Sequence, residues 1–255
     1  WNEKLKIKAL CGGEALSRDL ANEILVRVSS LWNMYGPTET TIWSSCARIE
    51  WGEGIVPIGK PISKTQFYIV DKNNQFCAPG VQGELLIGGE GLSIGYLNRE
   101  ELTKEKFIIN PFDKEKKSIV YRTGDLVRLT PKREIEFLGR ADNQVKIRGY
   151  RIETGEIESA LRKSNYVKDA VVIVKESENN DKKLVAYCVP ESQKILTNSN
   201  GLRAEYTANI KNLLKDNLPD YMVPPFFVYM ESLPLSPNGK IDRKELERLN
   251  TFELH

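Results

Sequence analysis

Apolar positions near the start of the chain follow first a strand-like and then a helix-like spacing. Ile7 to Leu10 reads as a short buried strand that stops at Gly12 and Gly13. Ser17 then opens a helix whose Leu20, Ile24 and Val28 recur every fourth residue. The next apolar segment reaches Trp32 and delivers a loop, Tyr35 to Glu39, at the carboxyl end of a strand, where α/β folds place ligands. From Gln66 to Gly139 the pattern shortens into strands punctuated by turns: Phe67 to Val70, Glu84 to Ile87, Leu126 to Leu129 and Ile135 to Leu138. Asp71 to Asn74 and Pro131 supply turns, and Asn98 to Lys106 reads as a short helix.

After Gly139 a polar, charged stretch gives way to a compact α+β pattern. Helices are expected near Glu153 to Lys163 and Glu205 to Leu218, strands at Ala170 to Lys175 and Leu184 to Val189, and a surface loop at Glu191 to Asn200. The change of character divides the chain into residues 1–141 and 142–255. No internal repeat or low-complexity tract interrupts either part. The chain runs into its first strand without a cap or linker, and is therefore expected to be the second part of a longer protein.

Composition narrows the chemistry. The 255 residues are 40% hydrophobic, which suits packed cores, and 37 Lys+Arg against 35 Asp+Glu leave a net charge of +2. That balance offers no global field for nucleic acid or for an anionic membrane. No apolar run approaches the ~20 residues that span a bilayer, and no basic, apolar leader begins the chain. Cys11, Cys46, Cys77 and Cys188 lie far apart without a CxxC pair, which argues against zinc and for reduced thiols in a cytoplasmic location. The single histidine is His255, the last residue, so Ser-His-Asp, Cys-His and His-ligated metal mechanisms have no candidate.

The loop Asn33-Met34-Tyr35-Gly36-Pro37-Thr38-Glu39-Thr40-Thr41 gathers the groups a nucleotide needs. Tyr35 offers a face for a purine, Gly36 lets backbone approach a ligand, Thr38 can donate to phosphate and Glu39 can hold a hard cation. On its own a Tyr-Gly-Pro is also ordinary turn punctuation. Four further segments extend the pattern: Gly83 to Leu97, Tyr121-Arg122-Thr123-Gly124-Asp125-Leu126, Gly139 to Glu153, and Leu218 to Pro224 followed by Asn238-Gly239-Lys240-Ile241-Asp242-Arg243. The Gly88 to Gly91 cluster lacks the Gly-Lys-Ser/Thr ending of a Walker loop and reads as a structural turn.

In this order and spacing the five segments resemble the C-terminal half of a nonribosomal peptide synthetase adenylation domain, in the adenylate-forming superfamily. The resemblance covers nearly the whole chain. It implies the α/β and β-rich C-terminal part of an adenylate-forming core (residues 1–141), followed by a small mobile α+β lid (residues 142–255). It implies ATP-dependent activation of an amino acid or related carboxylic acid as its acyl-adenylate, then transfer to the phosphopantetheine thiol of a carrier protein.

Carried over by position, the resemblance makes Gly12, Gly13, Glu14, Tyr35, Gly36, Asp125 and Arg140 nucleotide-binding. Tyr35 would stack on adenine, Asp125 would accept the ribose hydroxyls and Arg140 would reach ribose and phosphate. Glu39 would bind magnesium, Thr38 would contact the α-phosphate and Lys240 would bridge the substrate carboxylate and that phosphate. Asp142 would be the hinge of the lid, and its rotation would exchange Lys240 for the face of Lys146. Read without the resemblance, Asp125 is a hairpin-turn residue, Arg140 a surface ion-pair partner, and Lys146 and Lys240 solvated cations. Ala9, Cys11, Met34, Ile42 and Trp43 match acid-pocket positions and favour an uncharged side chain, while as plain residues they are core beside a strand end. The family's Ser/Thr/Gly-rich phosphate loop has no counterpart in the sequence. Two alternatives accompany the enzyme reading: an acyl-CoA synthetase of the same superfamily, and a non-catalytic fragment that needs the missing N-terminal half.

Overall fold

A computed structural model describes residues 5–142, 144–176, 181–197, 200–236 and 239–249. The chain divides into two compact units, Trp1–Asp142 and Asn143–His255.

The first unit opens with the strand–turn–helix–strand that periodicity predicts. Strand β1 (Leu5–Gly12) pairs in parallel with β2 (Val28–Tyr35), and helix α1 (Arg18–Arg27) crosses between them. Ser17 caps α1 by accepting from the Leu20 backbone N–H, and Asp19 and Arg27 complement the helix dipole at its two ends. Two expectations are corrected here. Val28 lies in β2 rather than in the helix. The short buried strand is an eight-residue strand whose Ile7 and Leu10 are exposed, because among the described residues β1 pairs with β2 alone and α1 shields only one of its faces.

Beyond β2 the sheet turns antiparallel. Strands β3 (Ser45–Ile49), β4 (Pro57–Pro61), β5 (Thr65–Val70) and β6 (Gln82–Gly89) are followed by helix α2 (Glu100–Lys106). Strands β7 (Phe107–Ile109), β8 (Ile119–Leu129) and β9 (Ile135–Arg140) complete a nine-stranded sheet in the order β1-β2-β3-β4-β9-β8-β6-β5, with β7 on β8. Alternation sends Leu85, Ile87 and Val127 into one apolar cluster with Ile58 and Ile135, and Leu86 and Val120 into another with Val70. Each such fully buried side chain contributes about 1.5–3 kcal/mol. Of the expected Gly88–Gly91 turn, Gly88 and Gly89 end β6 and only Glu90 and Gly91 turn; glycine is required at Gly89, where a Cβ would sit 2.0 Å from the Lys64 carbonyl oxygen.

The second unit begins with a hairpin, β10 (Gln144–Ile147) and β11 (Tyr150–Glu153). Its two-residue loop, Arg148 and Gly149, has positive φ at both positions, as a twist-matched turn requires. Helix α3 (Thr154–Arg162) precedes strands β12 (Val167–Glu176) and β13 (Lys182–Pro190). After the short helix α4 (Lys194–Thr197) and the long α5 (Asn200–Asn217), β14 (Phe226–Tyr229) completes a three-stranded sheet beside β13, and helix α6 (Arg243–Arg248) follows. One face of this sheet packs Val172, Ala186 and Cys188 against Ile157, Leu161, Ile210 and Leu214 of α3 and α5. The other packs Val171, Ile173, Val185 and Tyr187 against Leu246 of α6. The segment expected to be a surface loop, Glu191 to Asn200, instead contains α4, which buries Ile195. Ile195 and Leu196 are adjacent apolar residues in an otherwise polar stretch and set no helical period, so the sequence hid it.

No helix among the described residues is long and apolar enough to cross a membrane.

Candidate nucleotide site

Parallel pairing sets the carboxyl ends of β1 and β2 side by side, with Gly12 opposite Met34. A Cβ on Gly12 would lie 2.8 Å from the Met34 carbonyl oxygen, so glycine is what permits the approach. Gly13 continues with φ +93°, and Glu14 is half-buried beyond it. At the end of β2 the chain folds back tightly: the Ser44 N–H donates to the Tyr35 carbonyl at 2.7 Å, and a Cβ on Gly36 would lie 2.4 Å from the Ile42 carbonyl oxygen. Pro37 then leads into a short 3-10 turn, Thr38 to Thr40.

That turn is stitched to the segment after β6. Tyr96 donates its hydroxyl to Glu39 Oε1 at 2.5 Å, Thr41 donates to the Gly91 carbonyl at 2.7 Å, and Ser93 N–H donates to the Glu39 carbonyl at 2.9 Å. Thr40 and Ser44 share a hydroxyl hydrogen bond of 2.5 Å beneath it. Thr38 is left exposed at the tip, and Glu39 is buried. No cluster of three or more His, Cys, Asp or Glu that could hold a metal occurs among the described residues. Glu39 thus belongs to no such cluster and offers its own carboxylate. That donor set suits magnesium, which keeps water and phosphate oxygens and needs only one or two protein carboxylates.

The second half of the site is built by two irregularities in neighbouring strands. Between Glu84 and Leu86 of β6 the facing strand β8 carries extra residues around Thr123 to Asp125. Thr123 fills the broken ladder, donating its hydroxyl to the Leu85 carbonyl and accepting the Asp125 N–H at 2.9 Å. Gly124 makes the bend with φ +75°, and its N–H donates to Glu84 Oε1. Glu84 is fixed in turn by an ion pair with Arg122. On the other side, Leu138 is an unpaired residue of β9, since Leu126 faces Gly139 and Val127 faces Phe137. Such bulges redirect a side chain, and this one leaves Arg140 directly opposite Asp125.

The result is a buried chain of polar groups. Tyr35 donates its hydroxyl to Asp125 Oδ2 at 2.5 Å, and Arg140 Nη1 donates to Asp125 Oδ1 at 2.7 Å. Each carboxylate oxygen keeps a second lone pair for a ligand hydroxyl. Burial, and after it the Asp125 charge, push the Tyr35 phenol well above its ordinary range, so it remains a donor. The Tyr35 ring meets Phe67 edge-on, centroids 6.4 Å apart. Arg140 also grips Asp142, Nε donating to Oδ1 at 2.7 Å and Nη2 to Oδ2 at 2.6 Å.

The remaining predicted residues are more scattered. Ala9 and Cys11 lie on the α1 side of β1 against the cluster of Ala21 and Leu31, and burial raises the Cys11 thiol. Met34 is buried one step further along β2. Ile42 and Trp43 are 69% and 49% exposed, and Thr41 and Ile42 both have positive φ, so the backbone itself holds these side chains out.

In the second unit, Lys146 sits half-buried in β10, opposite Arg151. Lys240 is exposed on a tight turn: its carbonyl accepts the Ser236 N–H at 2.6 Å, Gly239 has φ +74°, and Leu235 bridges Ile241. Pro237, Asn238 and His255 lie outside the described residues. A groove of about 650 Å3 lined by α5 and β14, including Arg203, Lys211 and Phe227, contains none of the predicted site residues.

Sequence reading missed three contributors. Thr123 and Gly124 stand inside the Thr-Gly-Asp segment, and the hydroxyl–glycine–carboxylate order was the available signal. Tyr96 stands inside the Gly83 to Leu97 segment, but nothing in that segment paired it with Glu39, 57 residues away.

Known proteins of similar sequence and of similar structure point the same way. The family model for the AMP-binding enzyme matches residues 3–97, and that for the AMP-binding enzyme C-terminal domain matches residues 156–240. Tyrocidine synthase 3 of Brevibacillus parabrevis is 49% identical over 240 residues, 93% of this chain and 4% of that protein. A dimodular nonribosomal peptide synthase of Bacillus subtilis is 46% identical over 246 residues, 96% of this chain and 10% of the relative. The chain thus spans a small part of these curated relatives. Among solved structures, a nonribosomal peptide synthetase protein containing adenylation and PCP domains, bound to a vinylsulfonamide inhibitor, superposes with TM-score 0.74 at 30% identity. It covers 94% of this chain, which spans 40% of that one.

Proposed function

This chain belongs to the AMP-binding enzyme family, and we propose that it is the C-terminal part of an adenylation domain that activates an amino acid, or a related carboxylic acid, with ATP. The acyl group then passes from the adenylate to the phosphopantetheine thiol of a carrier protein. The observation that carries this reading is the Tyr35–Asp125–Arg140 chain. It joins side chains 90 and 15 residues apart, and sequence resemblance alone assigns all three to one nucleotide.

Tyr35 supplies the adenine-facing ring and, through its hydroxyl, holds the carboxylate that accepts the ribose diol. Arg140 balances the negative charge of Asp125. Gly12, Gly13, Glu14 and Gly36 form the close backbone approach at the strand ends. Thr38, exposed beside Glu39, donates to the α-phosphate. Glu39 would hold magnesium, which supplies charge neutralisation on the phosphates when bound. Lys240 places a positive charge where the carboxylate attacks the α-phosphate, an electrostatic role worth most in the transition state. Residues 142–255 act as a lid that turns about Asp142, alternately delivering Lys240 and the face of Lys146.

An upstream half of the domain completes the site. Ile7 and Leu10 of β1 and Leu20 and Val26 of α1 are large apolar side chains left in solvent. Such exposure marks surfaces that a partner covers. The same half closes the acid pocket over Ile42 and Trp43, whose apolar character favours an uncharged substrate side chain.

The test is acid-dependent exchange between ATP and pyrophosphate by the complete domain, across a panel of amino, keto and hydroxy acids. Exchange with one acid or a narrow group is expected. A folded complete domain that is silent with every one of them overturns the reading.

A further inference from the structure

Arg140 is held between two carboxylates, and only one of them belongs to the ribose contact. Its side chain is 13% exposed, that of Asp125 7% and that of Asp142 38%, so the pair with Asp125 is buried and the pair with Asp142 reaches the surface. A guanidinium is a rigid planar fork. Once Nε and Nη2 are fixed on the two oxygens of Asp142, the direction of Nη1 is fixed as well. Nη1 is the atom that donates to Asp125 Oδ1. The fork lies across Gly124, where a Cβ would approach Arg140 Nη2 to 2.8 Å and Asp142 Oδ2 to 2.9 Å. Glycine therefore leaves room for the Arg140–Asp142 grip as well as for the bend.

We propose that Asp142 is a positioning residue for the nucleotide: by gripping Arg140 it orients the Asp125 carboxylate for the ribose hydroxyls. The inference rests on the assignment of Asp125 to ribose. It gives the last residue of the first unit a role in nucleotide affinity without any contact to the nucleotide. Because linkage is reciprocal, a ribose held by Asp125 favours the gripped state of Asp142, and a backbone turn that withdraws the Asp142 carboxylate loosens the ribose contact.

The test uses the complete adenylation domain and compares AMP with 2′,3′-dideoxy-AMP, which lacks both hydroxyls. Asp142→Asn keeps the shape and loses the charge-assisted bidentate grip. It is expected to weaken AMP about five- to tenfold, within the range of coupled neighbours, while changing dideoxy-AMP by less than about twofold. Asp142→Glu, which restores a carboxylate, should recover most of the AMP affinity. In an Asp125→Asn background, adding Asp142→Asn should cost nothing further.

Equal losses for both nucleotides, or full additivity in the double variant, would overturn the positioning role while leaving the ribose assignment intact. An unchanged AMP affinity in Asp125→Asn alone would remove the ribose assignment itself, and the proposal with it.

Discussion

In the first unit Asp125 is buried, bonded through both oxygens and bent into place by a glycine and a threonine. In the second, Lys240 stands exposed on a turn held by backbone hydrogen bonds. Placing a binding carboxylate inside a sheet fixes its geometry before a ligand arrives. Under the proposed function, Tyr35, Arg140 and Thr123 have already met the orientational entropy that ribose would otherwise face. A lysine on an exposed turn has four rotatable side-chain bonds and a full hydration shell, so its position must be set by whatever it is brought against. Under the proposed function, recognition is built into the sheet and catalysis is carried on a movable surface.

Substitutions sharpen that contrast in order of expected effect. Lys240→Ala should lower adenylate formation by about 10²–10³-fold, as loss of one transition-state donor does. Its AMP dissociation constant should stay within about twofold of wild type by calorimetry, because a group acting only in the transition state adds nothing to ground-state binding. Asp125→Ala should do the reverse, weakening AMP by about 1.5–3 kcal/mol through lost hydrogen bonds to a charged group. An unchanged affinity there would dissolve the contrast.

Gly124→Ala should cost about 1–2 kcal/mol of stability in denaturant unfolding, because φ +75° is unfavourable for any residue with a Cβ. It should also weaken AMP, since the new Cβ displaces Arg140. A separate effect is on pH. Burial, then the Asp169 charge, push the Cys188 thiol up to about 12. A raised acid favours the folded state only while it stays protonated. The second unit should therefore hold its full contribution below the ordinary thiol range and lose it as pH climbs toward 12. Cys188→Ala should flatten that alkaline slope, measured by unfolding at a series of pH values.

The sequence made the sheet and its loop legible where local chemistry decides them. Ser17 announces the helix start, and short apolar runs bounded by turn signals announce β5, β6, β8 and β9. Strand β4 carries Pro57, Gly59 and Pro61, residue types that strands disfavour; only the sheet shows that a Cβ on Gly59 would lie 2.0 Å from the Cys46 carbonyl oxygen. The hairpin β10–β11 escaped because its charged residues suggested a solvated stretch. For the site, resemblance named Tyr35, Asp125 and Arg140, but neither bulge could be read from spacing. A bulge is a mismatch between two strands distant in sequence, and only pairing reveals it. The Tyr96–Glu39 bond was invisible for the same reason.

The most direct test of this division of labour is ATP–pyrophosphate exchange by residues 1–255 alone and after mixing with the separately produced upstream part of the domain, with folding of both verified. The account predicts silence from this chain alone and acid-dependent exchange from the mixture that Lys240→Ala abolishes. Exchange by this chain alone, or by a mixture carrying Lys240→Ala at the wild-type rate, would contradict it.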